Sequence, residues 1–227
     1  MRQLSYTLHE KVWGSVNTEP WLPPTGKKIG EAWFEKVEEI PLLIKLLFTT
    51  EKLSVQVHPA DDYAQKHHNS PGKTEMWHIL AAEPGAKIAA GLRESLTPER
   101  LREASLSGEI MDLLAWHDAK PGDTFFIPAG TVHAIGEGLT LLEVQQYSDV
   151  TYRLYDYGRP RELHLDHGCA VSCTEPYDPR VQIPFSCPYF AIDRRSSAPE
   201  AIFISPSSGT ASLDPSGAND ELAVWIP

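Results

Sequence analysis

The chain has 227 residues, of which 41% are hydrophobic and 22% are charged, a composition that supports one large or two small globular domains. Its formal net charge of −11 argues against a nucleic-acid or anionic-membrane partner, because both are bound through a basic face. An anionic substrate would therefore need a local cluster of lysines and arginines.

Three features predict a cytoplasmic protein without a membrane partner. The first fifteen residues contain no apolar stretch of the kind found in secretory signals. The longest apolar run, residues 40–48, is interrupted by Lys45 and is too short to span a bilayer. The three cysteines are an odd number without a framework spacing, which suits a reducing compartment. Cys169 and Cys173 could share a helix face, either as a zinc pair or as unpaired thiols.

The first predicted elements are strands. Residues 13–34 are rich in tryptophan and proline and are typical of loop and short strand. Residues 40–48 predict a buried strand, in which Lys45 is either an edge lysine with an exposed amine or a functional group. In LSVQVHP (residues 53–59) the alternation places three polar side chains on one face of a strand, either lining a site or facing solvent: Ser54, Gln56 and His58.

A short helix is predicted over residues 60–68, with acidic residues in its first turn. Residues 73–80 return to a strand pattern, in which Lys73 and Glu75 share a face. Near residues 97–117 we expect a small helical insertion, with Thr97 as the N-cap, Pro98 at the first helical position and a second short helix from about Glu109 to Trp116.

The later strands are predicted at residues 84–92, 125–127, 132–135 and 139–157, and the last of these places Glu143 and Gln145 on one face. Beyond about residue 165 the pattern changes to short strands with polar turns. GDTFFIPAG (residues 122–130) is similar to NDELAVWIP (residues 219–227). We therefore divide the chain into a domain of residues 1–164 and an abbreviated β domain of residues 165–227.

Four nitrogen and oxygen donors are candidates for one metal site: Gln56, His58, Glu75 and His133. Two histidines and a carboxylate with open positions are the ligand set of catalytic zinc and of non-haem iron. Strands that close into a barrel can bring such distant residues to one interior point. The sequence therefore favours a mainly β protein with a metal site inside a β-barrel.

Six motifs in order along residues 12–160 resemble the type I phosphomannose isomerase family, closest to its short bacterial branch: IGEAW, PLLIKLL, LSVQVHP, GKTEMW, FFIPAGTVHAI and QQYSDVTYRLYDY. The resemblance implies a cupin, a jelly-roll β-barrel, followed by a shortened second cupin-like segment. It implies one zinc ion per chain, bound by Gln56, His58, Glu75 and His133. It also implies an active-site role for Arg153 and a substrate-pocket role for Ser54 and Lys73.

The activity that the resemblance implies is interconversion of mannose 6-phosphate and fructose 6-phosphate. The anionic sugar phosphate needs cationic partners, for which Lys73 and Arg153 are the first candidates and Lys45 a weaker one. A guanidinium suits charge stabilisation better than proton abstraction, so the base is Lys73 or Glu143, unless Glu143 instead orients a ligand. Zinc would act as a Lewis acid or would mainly position sugar hydroxyls.

Two other classes of function fit the same motifs. One is a different metal-dependent cupin enzyme, such as an oxygenase or another sugar-phosphate isomerase, and the other is a non-catalytic sugar-binding cupin. The pairing of Lys73 with Arg153 favours the isomerase over the oxygenase, and an intact ligand set argues against a simple binding module. We expect a monomer or a weak homo-oligomer.

Overall fold

The computed structural model describes residues 2–194, 200–215 and 220–227. The described chain is mainly β, as predicted, with seventeen strands and four helices. The first strands are β1 (Tyr6–Ser15), β2 (Ile29–Phe34), β3 (Leu42–Thr49), β4 (Val55–Val57), β5 (Glu75–Ala82), β6 (Lys87–Leu92), β7 (Leu114–Asp118), β8 (Thr124–Ile127), β9 (His133–Ile135), β10 (Leu139–Gln146) and β11 (Tyr152–Tyr155). The remaining strands are β12 (Arg180–Val181), β13 (Phe185–Ser186), β14 (Ala191–Asp193), β15 (Ile202–Ser205), β16 (Thr210–Ser212) and β17 (Leu222–Trp225). The helices are α1 (Asp61–His68), α2 (Pro98–Ser107), α3 (Ile110–Leu113) and α4 (Leu165–Val171).

These strands form three antiparallel sheets. The first has seven strands in the order β1-β2-β3-β10-β5-β8-β12, and the second has five in the order β11-β4-β9-β6-β7. One apolar cluster contains Leu47 and Trp77 from the first sheet together with Ile88 and Ile135 from the second. The two sheets therefore face each other across a shared interior and make a barrel-like sandwich. The third sheet, β13-β14-β17-β15-β16, is built from the C-terminal part of the chain.

Strand β3 shows how the sequence creates the layers. Leu46 and Phe48 belong to an apolar cluster that also contains Ile202 and Ile204 of β15. This face of β3 therefore packs against the third sheet. Lys45 and Leu47 point to the opposite side, into the barrel. Because neighbouring strand residues face opposite ways, an all-apolar strand with one charge can be buried on both faces.

The helices cover the outer face of the second sheet. Leu101 and Ala104 of α2, Ile110 of α3 and Leu165 of α4 are buried in one cluster with Val55 of β4. Thr97 caps α2 by accepting a hydrogen bond from the Arg100 backbone N–H, and Pro98 occupies the first turn, as the sequence predicts. No helix among the described residues is long and apolar enough to cross a membrane.

Several local expectations change on the structure. The helix expected to run to Trp116 ends at Leu113, because residues 114–118 form β7 and pair with β6, with Trp116 opposite Ala89. Strand β1 was not expected before residue 13. The interpretation of Lys45 as an edge residue with an exposed amine is wrong, because β3 lies between β2 and β10 and Lys45 is only 4% exposed.

The division at residue 165 stays a prediction, but the packing suggests a later one. Helix α4 packs on the barrel, and β12 pairs with β8 at the edge of the first sheet. Only from β13 onward do strands join the third sheet. In the sequence similarity noted above, residues 124–127 form β8 and residues 222–225 form β17, while Asn219 lies outside the described residues.

Candidate metal centre

The candidate ligands come together from the two facing sheets. Gln56 in β4 lies directly opposite His133 in β9, and His58 follows β4 by one residue. Glu75 opens β5 in the other sheet and reaches both histidines. Its Oε2 lies 3.5 Å from His58 Nε2, and its Oε1 lies 3.6 Å from His133 Nε2. The three ligand atoms lie within 4.8 Å of one another.

Both imidazole rings are oriented by the backbone. His58 Nδ1 lies 3.0 Å from the Val150 carbonyl oxygen, and His133 Nδ1 lies 2.8 Å from the Thr131 carbonyl oxygen. A carbonyl can only accept, so each Nδ1 carries the proton and each Nε2 keeps an unprotonated lone pair on the side of Glu75. This arrangement is the usual one for metal-binding histidines.

Burial sets the protonation states in favour of ligation by the histidines. Burial, together with repulsion from Lys73, lowers the pKa of His58 well below its usual range. Burial also lowers the pKa of His133 to about 4, so both rings are neutral at pH 7. Burial, with repulsion from Glu143, raises the pKa of Glu75 to about 7 despite the opposing pull of Lys73. A cation beside this carboxylate would favour its ionised form.

The residues present fit a divalent metal ion. Glu75 is fully buried, and its Oε1 has no hydrogen-bond partner among the described residues. Such an atom is costly unless something positive meets it. Ligand atoms bound to zinc at 2.0–2.2 Å in tetrahedral geometry lie roughly 3.3 Å apart. Each histidine Nε2 is 3.5 or 3.6 Å from one Glu75 oxygen, with Oε2 facing His58 and Oε1 facing His133. Gln56 lies next to His133, with its amide nitrogen 3.3 Å from Nε2, and a half-turn of the amide would present its oxygen instead.

Lys73 lies against the same cluster. It is 4% exposed, its Nζ is 2.9 Å from His58 Nε2, and it makes an ion pair with Glu75. Its position just before β5 is fixed by a hydrogen bond from its backbone N–H to the Pro59 carbonyl. The expectation that Lys73 and Glu75 share a face holds in the structure.

Glu143 forms a second buried charged group on the barrel wall. Its two oxygens accept from Lys45 Nζ at 2.9 Å and from Trp77 Nε1 at 3.1 Å. Burial alone would raise the pKa of Glu143, but attraction to Lys45 and Lys73 outweighs it and lowers the pKa to about 2. Lys45 also lies over the Trp33 ring, 4.6 Å from its centroid. Glu143 therefore stays ionised.

A cavity of ≈ 230 Å³ opens beside the metal candidates. Its lining includes every predicted catalytic or substrate-binding residue: Lys45, Ser54, Lys73, Glu143 and Arg153, together with Gln56. Ser54 is 4% exposed and His58 is 1% exposed, so the alternative of an outward polar face on residues 53–59 is wrong. His58, Glu75 and His133 lie behind the cavity wall and are fully or almost fully buried.

Arg153 is on β11, opposite Gln56 in β4, one strand away from the metal candidates. Its Nη1 donates to the Glu162 carbonyl oxygen at 2.8 Å, and its Nε lies 3.9 Å from Asp156. The sequence reasoning missed two residues nearby, Asp156 and Arg161. The segment YRLYDYGRPR (residues 152–161) has three arginines close to one aspartate, a pattern that could have indicated this charged cluster.

The alternative zinc pair on Cys169 and Cys173 gains no support. Cys169 is in α4, Cys173 is two residues beyond it, and both are free thiols. Within residues 2–194, 200–215 and 220–227, the cluster of three or more metal-binding side chains is His58, Glu75 and His133.

The chain is similar in sequence to known isomerases. Residues 3–76 match the family described as phosphomannose isomerase type I, catalytic domain. The mannose-6-phosphate isomerase ManA of Bacillus subtilis is 49% identical over 141 residues, covering 59% of this chain and 44% of that protein. The probable mannose-6-phosphate isomerase GmuF of the same organism is 40% identical over 177 residues, covering 71% and 56%. The chain spans about half the length of the curated relatives it matches.

Solved structures show the same fold. The crystal structure of the mannose 6-phosphate isomerase from Bacillus subtilis superposes with a TM-score of 0.76 at 24% identity, covering 99% of this chain and 93% of that one. A putative mannosephosphate isomerase from Archaeoglobus fulgidus superposes with a TM-score of 0.74 at 20% identity, covering 100% and 95%. The predicted cupin-like, mainly β fold is thereby confirmed.

Proposed function

We propose that this chain is a zinc-dependent aldose–ketose isomerase that interconverts mannose 6-phosphate and fructose 6-phosphate. Residues 3–76 match the type I phosphomannose isomerase catalytic domain, and curated relatives that are 40–49% identical carry the name mannose-6-phosphate isomerase. One observation supports this proposal above the others. His58, Glu75 and His133 meet in the barrel interior directly behind a cavity lined by Lys73, Glu143 and Arg153, although they are far apart in the sequence.

The proposed ligands of one zinc ion per chain are Gln56, His58, Glu75 and His133. The two imidazoles and the carboxylate suit zinc and iron alike, and zinc is preferred because an isomerisation needs no redox change. When bound, the ion would supply Lewis-acid stabilisation of negative charge on a sugar oxygen. Oε1 of Glu75, a buried carboxylate oxygen without a hydrogen-bond partner among the described residues, would meet such an ion.

The reaction moves a proton between C1 and C2 of the open-chain sugar. A base works best when its pKa lies near the operating pH. Glu143 is a poor base because its pKa is about 2. Burial raises this pKa, but attraction to Lys45 and Lys73 lowers it by more. We therefore assign proton transfer to Lys73 and a positioning role to Glu143, which holds Lys45 and Trp77.

Arg153 is proposed to bind an anionic group of the substrate rather than to act as the base, since a guanidinium stays protonated and donates several hydrogen bonds in one plane. Ser54 and Lys45, which also line the cavity, are proposed to contact sugar hydroxyls. A cytoplasmic location and a monomeric or weakly associated state stay predictions of the sequence.

The decisive experiment is a coupled assay of mannose 6-phosphate conversion to fructose 6-phosphate, with and without a chelator, alongside metal analysis. We expect turnover that the chelator abolishes and added zinc restores. His133→Ala should lose both the metal and turnover, and His67→Ala, a change at an exposed histidine of α1, should lose neither. An active, zinc-loaded His133→Ala protein would refute the assignment. Oxygen consumption without isomerisation would instead support the oxygenase alternative.

A further inference from the structure

Five basic side chains line the cavity, and three of them are already neutralised. Lys11 pairs with Glu31 at 3.3 Å, Lys45 pairs with Glu143 at 2.9 Å, and Lys73 pairs with Glu75. Buried or partly buried pairs of this kind resist being broken, because separating them leaves a charge unpaired. The two other cations in the lining are Arg153 and Arg161, which share the carboxylate of Asp156, and the lining also includes Asp149.

Arg161 is held in a fixed orientation by a buried carboxylate. Its Nε and Nη2 donate to the two oxygens of Asp156 at 2.6 and 2.7 Å. Asp156 is only 3% exposed, whereas the Arg161 side chain is 36% exposed. Within the described part of the chain, Arg161 Nη1 makes no hydrogen bond. A bidentate pair therefore orients the guanidinium and leaves one edge of it free on the side of the cavity.

Asp156 also contacts two other guanidiniums. Arg153 Nε lies 3.9 Å from its Oδ2, and Arg159 Nη1 lies 3.4 Å from its Oδ1. Three positive charges around one carboxylate leave an excess of two. Arg159 is compensated separately, because its Nη2 donates to Glu51 and to the Lys52 carbonyl. The uncompensated positive charge therefore lies with Arg153 and Arg161, the two that line the cavity.

Arg153 has unused hydrogen-bonding capacity as well. Its Nη1 donates to the Glu162 carbonyl, but its buried Nε has no hydrogen-bond partner within the described residues. Burial and then repulsion from Arg161 lower the pKa of Arg153 from its ordinary value. A dianionic group bound by both guanidiniums would satisfy the free donors and relieve that repulsion.

We propose that Arg161, oriented by Asp156 and assisted by Arg153, binds the phosphate of the sugar phosphate and is the residue that selects phosphorylated over unphosphorylated sugars. This inference rests on the proposed function for the identity of the sugar. It explains where a chain of net charge −11 could bind an anion: Arg153 and Arg161 share the single carboxylate of Asp156, so this pair of arginines carries one positive charge more than its partner, although Asp149 also lines the cavity.

The test compares Arg161→Met and Arg161→Lys with Arg159→Met. The last variant is a matched control, because Arg159 also contacts Asp156 but is absent from the cavity lining. For each protein we would measure kcat and KM for mannose 6-phosphate and for mannose, and the binding of inorganic phosphate by calorimetry. Zinc content and thermal unfolding would show that each variant is folded and loaded.

We expect Arg161→Met to raise the KM for mannose 6-phosphate by about 10- to 100-fold, as for loss of a charged hydrogen-bonding pair. The kinetics with mannose should stay unchanged, and phosphate binding should be lost. Arg161→Lys should fall between, because an ammonium keeps the charge but cannot hold Asp156 and phosphate with one planar fork. If Arg161→Met does not fold, Arg161→Lys decides the question on the same readouts.

Three outcomes would overturn the inference: equal losses with mannose 6-phosphate and mannose, undiminished phosphate binding by Arg161→Met, or an equal effect of Arg159→Met. Failure of the proposed function is distinguishable. A wild-type protein that converts neither sugar but binds phosphate through Arg161 would refute the isomerase and retain the phosphate site. An active isomerase whose kinetics do not change on substitution of Arg161 would support the isomerase and refute the phosphate site.

Discussion

The two faces of the seven-stranded sheet have opposite chemistry although the same strands make both. On the outer face Ile44, Leu46 and Phe48 of β3 and Leu142 and Val144 of β10 are buried against the C-terminal sheet. The inner face of the same strands carries Lys45 opposite Glu143, a buried ion pair within the barrel wall. One face contributes apolar burial, and the other contributes charges that are stable only because each has a partner.

This difference shows that stability and chemistry are separated by one residue along a strand. A slip of one position in the pairing of β3 and β10 would place charges against the C-terminal sheet and leucines in the cavity. Substitutions on the outer face should therefore change the free energy of unfolding and spare the metal site. Substitutions on the inner face should change metal binding and catalysis at smaller cost in stability.

The most severe way to break the outer face is to remove what covers it. A protein ending after residue 182 would lose β13–β17 and expose the cluster that includes Leu46, Phe48 and Leu142. An apolar face of that kind in water predicts misfolding or aggregation. We expect no soluble protein with a cooperative thermal transition, in contrast to the full chain. A monomeric, folded and active truncated protein would show that the barrel is stable without its C-terminal layer.

The most damaging single change on the inner face should be Glu75→Gln. It keeps the shape of the side chain but removes the carboxylate whose two oxygens face His58 and His133. We expect loss of bound metal and a fall in kcat of at least about 10³-fold, since a metal supplies several kcal/mol of charge stabilisation. Elemental analysis and the coupled assay would measure both.

The control for this change is Glu38→Gln, which alters an exposed carboxylate that pairs only with Lys36 in the described structure. It should retain the metal and full turnover. If Glu75→Gln kept a full complement of metal, the carboxylate would have to be removed from the proposed ligand set.

On the outer face, Leu46→Ala should act on stability alone. Leu46 is fully buried beneath the C-terminal sheet, and removing such a side chain costs about 3 to 5 kcal/mol. Chemical denaturation would measure the loss, and activity per folded molecule should be unchanged. Leu106→Ala, at a side chain that is 64% exposed, should cost less than about 0.5 kcal/mol. A large fall in kcat for folded Leu46→Ala would mean that the two faces are not independent.

Local pattern predicted much of the inner face. Period-two alternation placed Gln56 and His58 together with Ser54, and Lys73 with Glu75, and helix signals placed Thr97 at the start of α2. Alternation could not assign Lys45, because both faces of β3 are buried and its neighbours are apolar on each side. The partner of Lys45, Glu143, is 98 residues away and depends on strand register that the sequence does not state.

The roles of Asp156 and Arg161 and the packing of the third sheet on the barrel could not be predicted from the sequence, for the same reason. Arg161 becomes significant only because Asp156 is buried and leaves one edge of the guanidinium free. The third sheet was expected within a C-terminal β domain of residues 165–227, and its residues Ile202 and Val224 share a cluster with β3. Packing between distant segments follows from the total apolar area to be covered rather than from a local pattern.

The smallest expected effect concerns His78, an ionisable residue on the outer face of β5. It lies between Met76 and Leu80, which pack in the apolar cluster of that face. Its Nδ1 is 2.9 Å from Thr124 Oγ1, and burial followed by repulsion from Arg194 lowers its pKa to about 4, against an opposing effect of Asp123. In the unfolded chain its pKa is near 6.5. The unfolded state therefore binds a proton first as the pH falls, and His78 lowers the free energy of unfolding between about pH 6.5 and pH 4, by about 3 kcal/mol in total.

We expect the free energy of unfolding of His78→Gln to fall less steeply than that of the wild type as the pH is lowered from 6.5 to 4, and the two slopes to agree above pH 7. Denaturant titrations at several pH values would measure this difference. His58 and His133, whose pKa values are lowered by burial on the inner face, contribute equally to both proteins and cancel. Parallel slopes for the two proteins would mean that His78 accepts a proton in place, so that the outer face tolerates a charge that its apolar surroundings should exclude.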